Sequence, residues 1–215
     1  MLLDAFERCG IPVLELDRLL RPDTHSGVAL TFDDGIRTAF TEALPILRSH
    51  SAPAHLFLTT GFVGTTNCWP GQPRSTPVFE MLRWSEIEVL QGMGMRIEAH
   101  TASHPDFREL SDAAVRAECE SADETIVSRL GVRPRYFAYP YGRNNARVRA
   151  FARNRYAGSF TTDLRMLRDQ EDAAALPRLD AYYLRHKLIF DDLRSLRTYV
   201  FLAFRHALRE LRGKF

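Results

Sequence analysis

The sequence is short of cysteine, of excess charge and of long apolar runs, and each shortage removes a class of protein. Only Cys9, Cys68 and Cys119 occur among 215 residues, widely spaced, odd in number and without a C-x-x-C pair. That argues against a disulfide framework or a zinc knuckle and leaves three free thiols, as expected in a reducing compartment. Lysine plus arginine exceeds aspartate plus glutamate by 29 to 27, a formal net charge of +2. Binding along a phosphate backbone needs a clustered basic excess, so no nucleic-acid partner is expected. No stretch approaches the about 18 uninterrupted apolar residues of a membrane span, because charges break even the apolar C-terminal stretch every few positions. Membrane insertion is therefore not expected. The opening MLLDAFERCGIPVLELDRLL carries Asp4, Glu7 and Arg8 where a secretory signal would be apolar. The resulting expectation is a cytoplasmic protein.

What is present suffices for a core. With 45% hydrophobic and 26% charged residues, the chain is expected to form a single domain over 1–215, with a motif-bearing core over about 28–183 and a C-terminal helix over about 188–212. Val28–Phe32 reads as a buried strand leading into Asp33-Asp34-Gly35, then a helix with Phe40, Leu44 and Leu47 on one face. Further strands are predicted at His55–Thr59, Met95–Ala99, Tyr136–Ala138, Ala157–Thr161 and Pro177–Tyr183. Helices are predicted at Trp84–Leu90 and Asn144–Asn154, and a helix capped by Ser111 and closed by Gly131 carries Val115, Cys119, Ala122, Ile126 and Leu130 on one stripe. A loop rich in Gly, Pro, Thr and Asn from Gly61 to Pro77 is long enough to shape a cleft. Ile189, Leu193, Leu196, Val200, Phe204, Leu208 and Leu211 form one apolar stripe of a terminal helix. Strands alternating with helices imply parallel βαβ units, in a barrel or an open sheet. In both, chemistry sits past the strand C-terminal ends, and Asp33, His100 and Tyr139 each follow a predicted strand.

Three short segments carry the chemistry. Asp33 and Asp34 are adjacent carboxylates; on a regular strand they would point apart, so both reach one site only where the chain turns, and Gly35 permits a turn. Alone, Asp-Asp-Gly is also an ordinary turn. His100 and His104, at i and i+4, can grip one ion. Two imidazoles and a carboxylate leave coordination positions open for water and substrate, which suits catalysis better than a closed structural site.

LTFDDG at Leu30–Gly35, EAHTASHPDF at Glu98–Phe107 and YFAYPYG at Tyr136–Gly142, with Trp84 ahead of the histidines, resemble the ordered motifs of the polysaccharide deacetylase family, the NodB-homology or carbohydrate esterase family 4 domain. The resemblance runs from about Leu2 to Tyr183. It implies an α/β fold, a distorted (β/α) barrel with fewer than eight strands, and a metal-dependent hydrolase removing N-acetyl groups from an N-acetylhexosamine-containing glycan. It implies a divalent ion, most often Zn2+ with Co2+, Ni2+ or Mn2+ as alternatives, on Asp34, His100 and His104. By the same resemblance, Asp33 is the general base and the Tyr141 backbone N–H helps hold the oxyanion. Two positions depart. Where the family has an arginine paired with the catalytic aspartate, this chain has Ala138, and Arg178 is the candidate substitute. Leu184-Arg185-His186 matches the last motif in letters, with His186 as a candidate general acid, although its place directly before the terminal helix favours a solvent-exposed or helix-capping histidine. His25, His50 and His206 read as surface residues, and His55 as a packed one. Three alternatives stay open: an amidohydrolase of the same fold acting on a non-carbohydrate amide or ureide, a carbohydrate-binding domain without turnover, and a nucleic-acid or membrane-surface binder using the basic C-terminal helix, against which Asp191, Asp192 and Glu210 on that helix count.

Overall fold

The structure, a computed structural model, describes residues 2–73, 75–184, 193 and 195–212. Along the chain run α1 (Leu2–Arg8), α2 (Leu16–Leu19), β1 (Leu30–Phe32), a π-helical turn Ala39–Ala43 continuing into α3 (Leu44–Ser49), β2 (Ala54–Leu58), α4 (Trp84–Gly92) and β3 (Arg96–Ala99). There follow α5 (Asp112–Leu130), β4 (Tyr136–Ala138), α6 (Ala146–Arg153), β5 (Gly158–Phe160), α7 (Ala181–Leu184) and α8 (Leu196–Arg212). The strands pair in parallel in the order β1-β2-β3-β4-β5, with Leu56 opposite Ile97, Ala99 opposite Phe137 and Ala138 opposite Phe160. A sheet wound in sequence order has no reversal point, so its crossovers repeat with one hand and it curls into a half-barrel. All five C-terminal ends then open on one rim.

β2, β4 and β5 are buried along their whole length, as strands covered on both faces must be. Leu56, Leu58, Leu82, Ile87, Leu90 and Ile97 form the centre of the main core. Truncating one such side chain to alanine costs about 2–5 kcal/mol. Helix α5 has the predicted boundaries: Ser111 Oγ accepts from the Ala114 N–H, and Gly131 at φ +69° ends the helix in the left-handed conformation. Its buried stripe is Val115, Cys119, Ala122, Asp123 and Ile126. At the opposite end of the sheet from the rim, buried His55 accepts the Leu16 N–H at Nε2 and lies 3.2 Å from Glu98 through Nδ1, the packed role expected of it. His50, by contrast, is only partly exposed, because Nδ1 lies 2.8 Å from Glu7 and ties α3 to α1.

Two expectations need correction. Pro177–Tyr183 is not a strand. The pairing alongside β5 comes earlier, where Ser159 donates to Ala173, Leu176 to Ser159 and Thr161 to Leu176. Leu176 turns both its N–H and its carbonyl toward β5, so Arg178 is the next residue to face it, and the Arg178 N–H goes to the Asp163 carbonyl beyond β5; Asp180 then accepts from Tyr182 and starts the turn of α7. Nor does the C-terminal stripe pack as one face. Leu196, Val200 and Phe204 are 76%, 56% and 60% exposed, whereas Thr198 and Leu202 are buried. Leu193 lies in a turn ahead of α8, so helical phase does not run on from it. Ile189 lies outside the described residues. Among the described residues no helix is long and apolar enough to cross a membrane.

The thiols differ in environment: Cys68 is exposed, Cys9 is intermediate, and burial pushes the Cys119 thiol up to about 12. At pH 8 its thiolate fraction is on the order of 10⁻⁴. Iodoacetamide followed by mass spectrometry should label Cys68 promptly and Cys119 only after denaturation; prompt labelling of Cys119 in the folded protein would contradict this packing.

Candidate active site

Each motif meets the rim through a backbone bend. Six non-glycine residues with positive φ occur among the described residues, and four belong here: Asp34 (70°), Thr101 (69°), His104 (59°) and Tyr141 (58°). The left-handed region costs a side-chain-bearing residue on the order of 1–3 kcal/mol, and such strain gathers where side chains must be aimed. After β1, Asp34 turns the chain, Gly35 donates to the Asp33 carbonyl, and Thr59 donates to the Asp34 carbonyl. Gly35 sits at φ +97°, and a Cβ there would lie 2.7 Å from Leu58 Cδ1, so glycine is required. The bend separates the carboxylates, sending Asp34 toward the histidines and Asp33 toward Arg178.

Asp34 Oδ1 lies 3.1 Å from His100 Nε2 and 3.4 Å from His104 Nε2. His100 Nδ1 is 2.7 Å from the Ala138 carbonyl. A carbonyl can only accept, so Nδ1 carries a proton and Nε2 is the ring atom that faces Asp34 and the rim. Burial raises the Asp34 carboxyl, but hydrogen bonds from both histidines outweigh it and hold the group well below the usual carboxylate range. The same burial disfavours charge on the imidazoles. In His100 the Asp34 hydrogen bond and the two aspartate charges overcome it and raise the pKa; in His104 burial prevails and lowers it.

Asp33 meets Arg178 in a fork, Nη1 to Oδ1 at 2.6 Å and Nη2 to Oδ2 at 2.7 Å. Arg178 also donates from Nε to the Thr161 carbonyl and from Nη1 to Thr31 Oγ1. It thus bridges the end of β5 to the end of β1 across the open side of the half-barrel, over the rings of Phe57 and Phe160. Burial raises the Asp33 carboxyl, and the Arg178 charge and hydrogen bonds more than offset this, leaving it below its ordinary value.

Tyr141 sits in the bend after β4. Its carbonyl accepts from Thr162 Oγ1, and a Cβ on Gly142 would lie 2.2 Å from that oxygen. The Tyr141 ring meets His104 edge-on at 4.6 Å, and its hydroxyl accepts from Trp69 Nε1 at 3.0 Å. Trp69, from the loop after β2, also lies 4.2 Å from the His104 ring. Sequence reasoning saw that loop as a cleft former but did not single out Trp69; its signal was a lone tryptophan in a Gly- and Pro-rich stretch. His186 lies outside the described residues.

The donor set suits a divalent ion. Bonds of about 2.0–2.2 Å in tetrahedral array put neighbouring donors about 3.3–3.6 Å apart, close to the 3.1 and 3.4 Å found here. The imidazoles are buried while the Asp33 and Asp34 side chains are 33% and 23% exposed, so the cluster is open on its carboxylate side. Asp4, Glu7 and His50 form a second cluster of possible ligands, more exposed and on α1 and the end of α3. If the first cluster is the ion site, His100→Ala should weaken zinc affinity by more than the roughly 10–100-fold that loss of an outer contact costs. Unchanged affinity by competition with a chelating dye would rule out a shared ion.

Residues 21–156 match the family described as polysaccharide deacetylase. A poly-β-1,6-N-acetyl-D-glucosamine N-deacetylase of Staphylococcus epidermidis is 23% identical over 162 residues, 71% of this chain and 53% of that protein. One of Staphylococcus aureus is 26% identical over 178 residues, 77% of this chain and 55% of that protein. The chain spans about half the length of the curated relatives it matches. In structure it is similar to the Streptococcus pyogenes deacetylase PplD in complex with acetate, with TM-score 0.70, 24% identity and coverage of 83% of this chain and 77% of that one. IcaB from Ammonifex degensii superposes with TM-score 0.70, 23% identity and coverage of 89% and 84%. At these identities the structural likeness speaks to the fold. The matched segment contains Asp33, Asp34, His100, His104 and Tyr141, and the chain belongs to the polysaccharide deacetylase family.

Proposed function

We propose that this chain is a metal-dependent N-deacetylase that removes acetyl groups from N-acetylhexosamine residues of a glycan and releases acetate. The observation that carries the reading is the division of labour between adjacent carboxylates, Asp34 shared by two imidazoles and Asp33 held apart by a guanidinium. Zinc suits a set of two imidazoles and one carboxylate, with Co2+, Ni2+ or Mn2+ able to substitute. Bound on Asp34, His100 and His104, the ion would supply Lewis-acid activation of the amide carbonyl and of water. Asp33, kept ionised by Arg178, accepts the proton of the attacking water. The Tyr141 backbone N–H, held in its left-handed bend, donates to the developing oxyanion. His186 is the candidate donor to the leaving amine. N-acetylglucosamine is the favoured sugar because that is the residue named for the Staphylococcus relatives.

The test is acetate release from β-1,6-linked N-acetylglucosamine oligomers, abolished by a chelator and restored by zinc. Binding without release, indifferent to chelator, would indicate a carbohydrate-binding domain; release only from non-carbohydrate amides would indicate a different amidohydrolase. Asp33→Asn should lower turnover by roughly 10²–10⁴-fold while zinc content stays at the wild-type level. Parallel loss of zinc would make Asp33 a ligand instead. In Arg178→Ala the carboxylate loses its cation, its pKa rises, and it is protonated at higher pH. The acidic limb of the pH–rate profile should therefore move upward with zinc content preserved; an unmoved limb would remove Arg178 from the account.

A further inference from the structure

A metal-ligating imidazole is ordinarily aimed through its second ring nitrogen, and the two histidines differ in this respect. His100 has the Ala138 carbonyl. His104 Nδ1 is buried with no hydrogen-bond partner among the described residues. Its direction must come from the backbone that carries it and from the rings beside it. That backbone is a tight turn: Thr101 and His104 are both left-handed, and Thr101 Oγ1 accepts the His104 N–H at 2.9 Å.

The turn is gripped from two sides. From the β2 side, Thr60 donates to the Thr101 carbonyl and Gly61 to the Ala102 carbonyl, with a Cβ on Gly61 excluded by an approach of 2.6 Å. From the other side comes Glu118, near the start of α5. Its Oε2 accepts the N–H groups of Ala102 (3.0 Å) and Ser103 (2.8 Å), and its Oε1 accepts Ser103 Oγ–H at 2.6 Å. Helix α5 is locked in the core through Val115, Cys119, Ala122 and Ile126, so this carboxylate is a fixed point. Three bonds on one side chain are more than a surface glutamate needs, and they end on the two residues just before His104.

We infer that Glu118 is a positioning residue for His104: by clamping the Ala102–Ser103 turn it directs Nε2 toward Asp34, the task that the Ala138 carbonyl performs for His100. The inference rests on Asp34, His100 and His104 being metal ligands. The experiment measures Co2+ affinity and the Co2+ visible absorption spectrum of the full chain, with far-UV circular dichroism as a check on folding. Glu118→Ala should bind Co2+ about 10–100-fold more weakly and show a shifted band. Glu118→Gln, whose amide oxygen still accepts both N–H groups, should recover most of the affinity and the spectrum. A folded Glu118→Ala with wild-type affinity and spectrum overturns the inference, as does a Glu118→Gln no better than alanine. Should Glu118→Ala fail to fold, Ser103→Ala removes only the hydroxyl bond, and a smaller loss of affinity supports the clamp while none overturns it. His100→Ala separates the two claims. If it binds Co2+ as tightly as the wild type, or the wild type binds none, the metal reading falls and the clamp with it; if only Glu118→Ala matches the wild type, the clamp alone falls.

Discussion

The structure turns on one carboxylate oxygen, Asp34 Oδ1, that two buried imidazoles share at 3.1 and 3.4 Å. Bringing three polar groups together at the edge of an apolar barrel is unfavourable unless each is compensated. The protein does this with backbone shape. β1 and β3 end in bends that few side-chain-bearing residues adopt, and the neighbouring glycines, Gly35 and Gly61, sit where any Cβ would collide. The strain is local and is sustained by the packed strands behind it, above all the fully buried β2.

A half-barrel has an open side, and here that opening and the chemistry are linked. Arg178 reaches from beyond β5 to β1, contacting Thr161, Thr31 and Asp33 and lying over Phe57 and Phe160. One side chain thereby ties the first strand to the last and, against the effect of burial, holds the Asp33 carboxyl below its ordinary value. The family motif would place an arginine at Ala138; here the guanidinium against Asp33 belongs to Arg178, and the backbone carbonyl of Ala138, which any residue there would offer, lies 2.7 Å from His100 Nδ1. A lysine at 178 could supply the charge but not the paired bonds, since only a guanidinium presents a planar fork.

Much of this was legible in the chain because it is local. Ser111 and Gly131 mark α5 by their own conformational preferences, and β4 spans Tyr136–Ala138 as its apolar residues ahead of the Tyr139-Pro140 turn predict. The Asp-Asp-Gly and His-x-x-x-His segments declare themselves by spacing and by following strands. Arg178 was legible only indirectly, through the missing arginine at Ala138. Other features depend on distances that only the fold sets. Nothing in the sequence marks Glu118, on α5 beside the buried stripe, as the partner of a loop that ends at residue 104. Trp69 gains its meaning from the path of an irregular loop. The strand expected over Pro177–Tyr183 failed because Arg178, the next residue to face β5 after Leu176, sends its N–H to Asp163 and its side chain to Asp33, and the C-terminal stripe failed because α8 packs through the face that carries Thr198 and Leu202.

The central claim is that the rim of this half-barrel holds one divalent ion between Asp34, His100 and His104. Diffraction from zinc-soaked crystals at the zinc absorption edge addresses it most directly. The account predicts one strong anomalous peak about 2.0–2.2 Å from Asp34 Oδ1 and from both Nε2 atoms. A peak confined to Asp4, Glu7 and His50, or imidazoles turned away from a zinc-free rim, would contradict it.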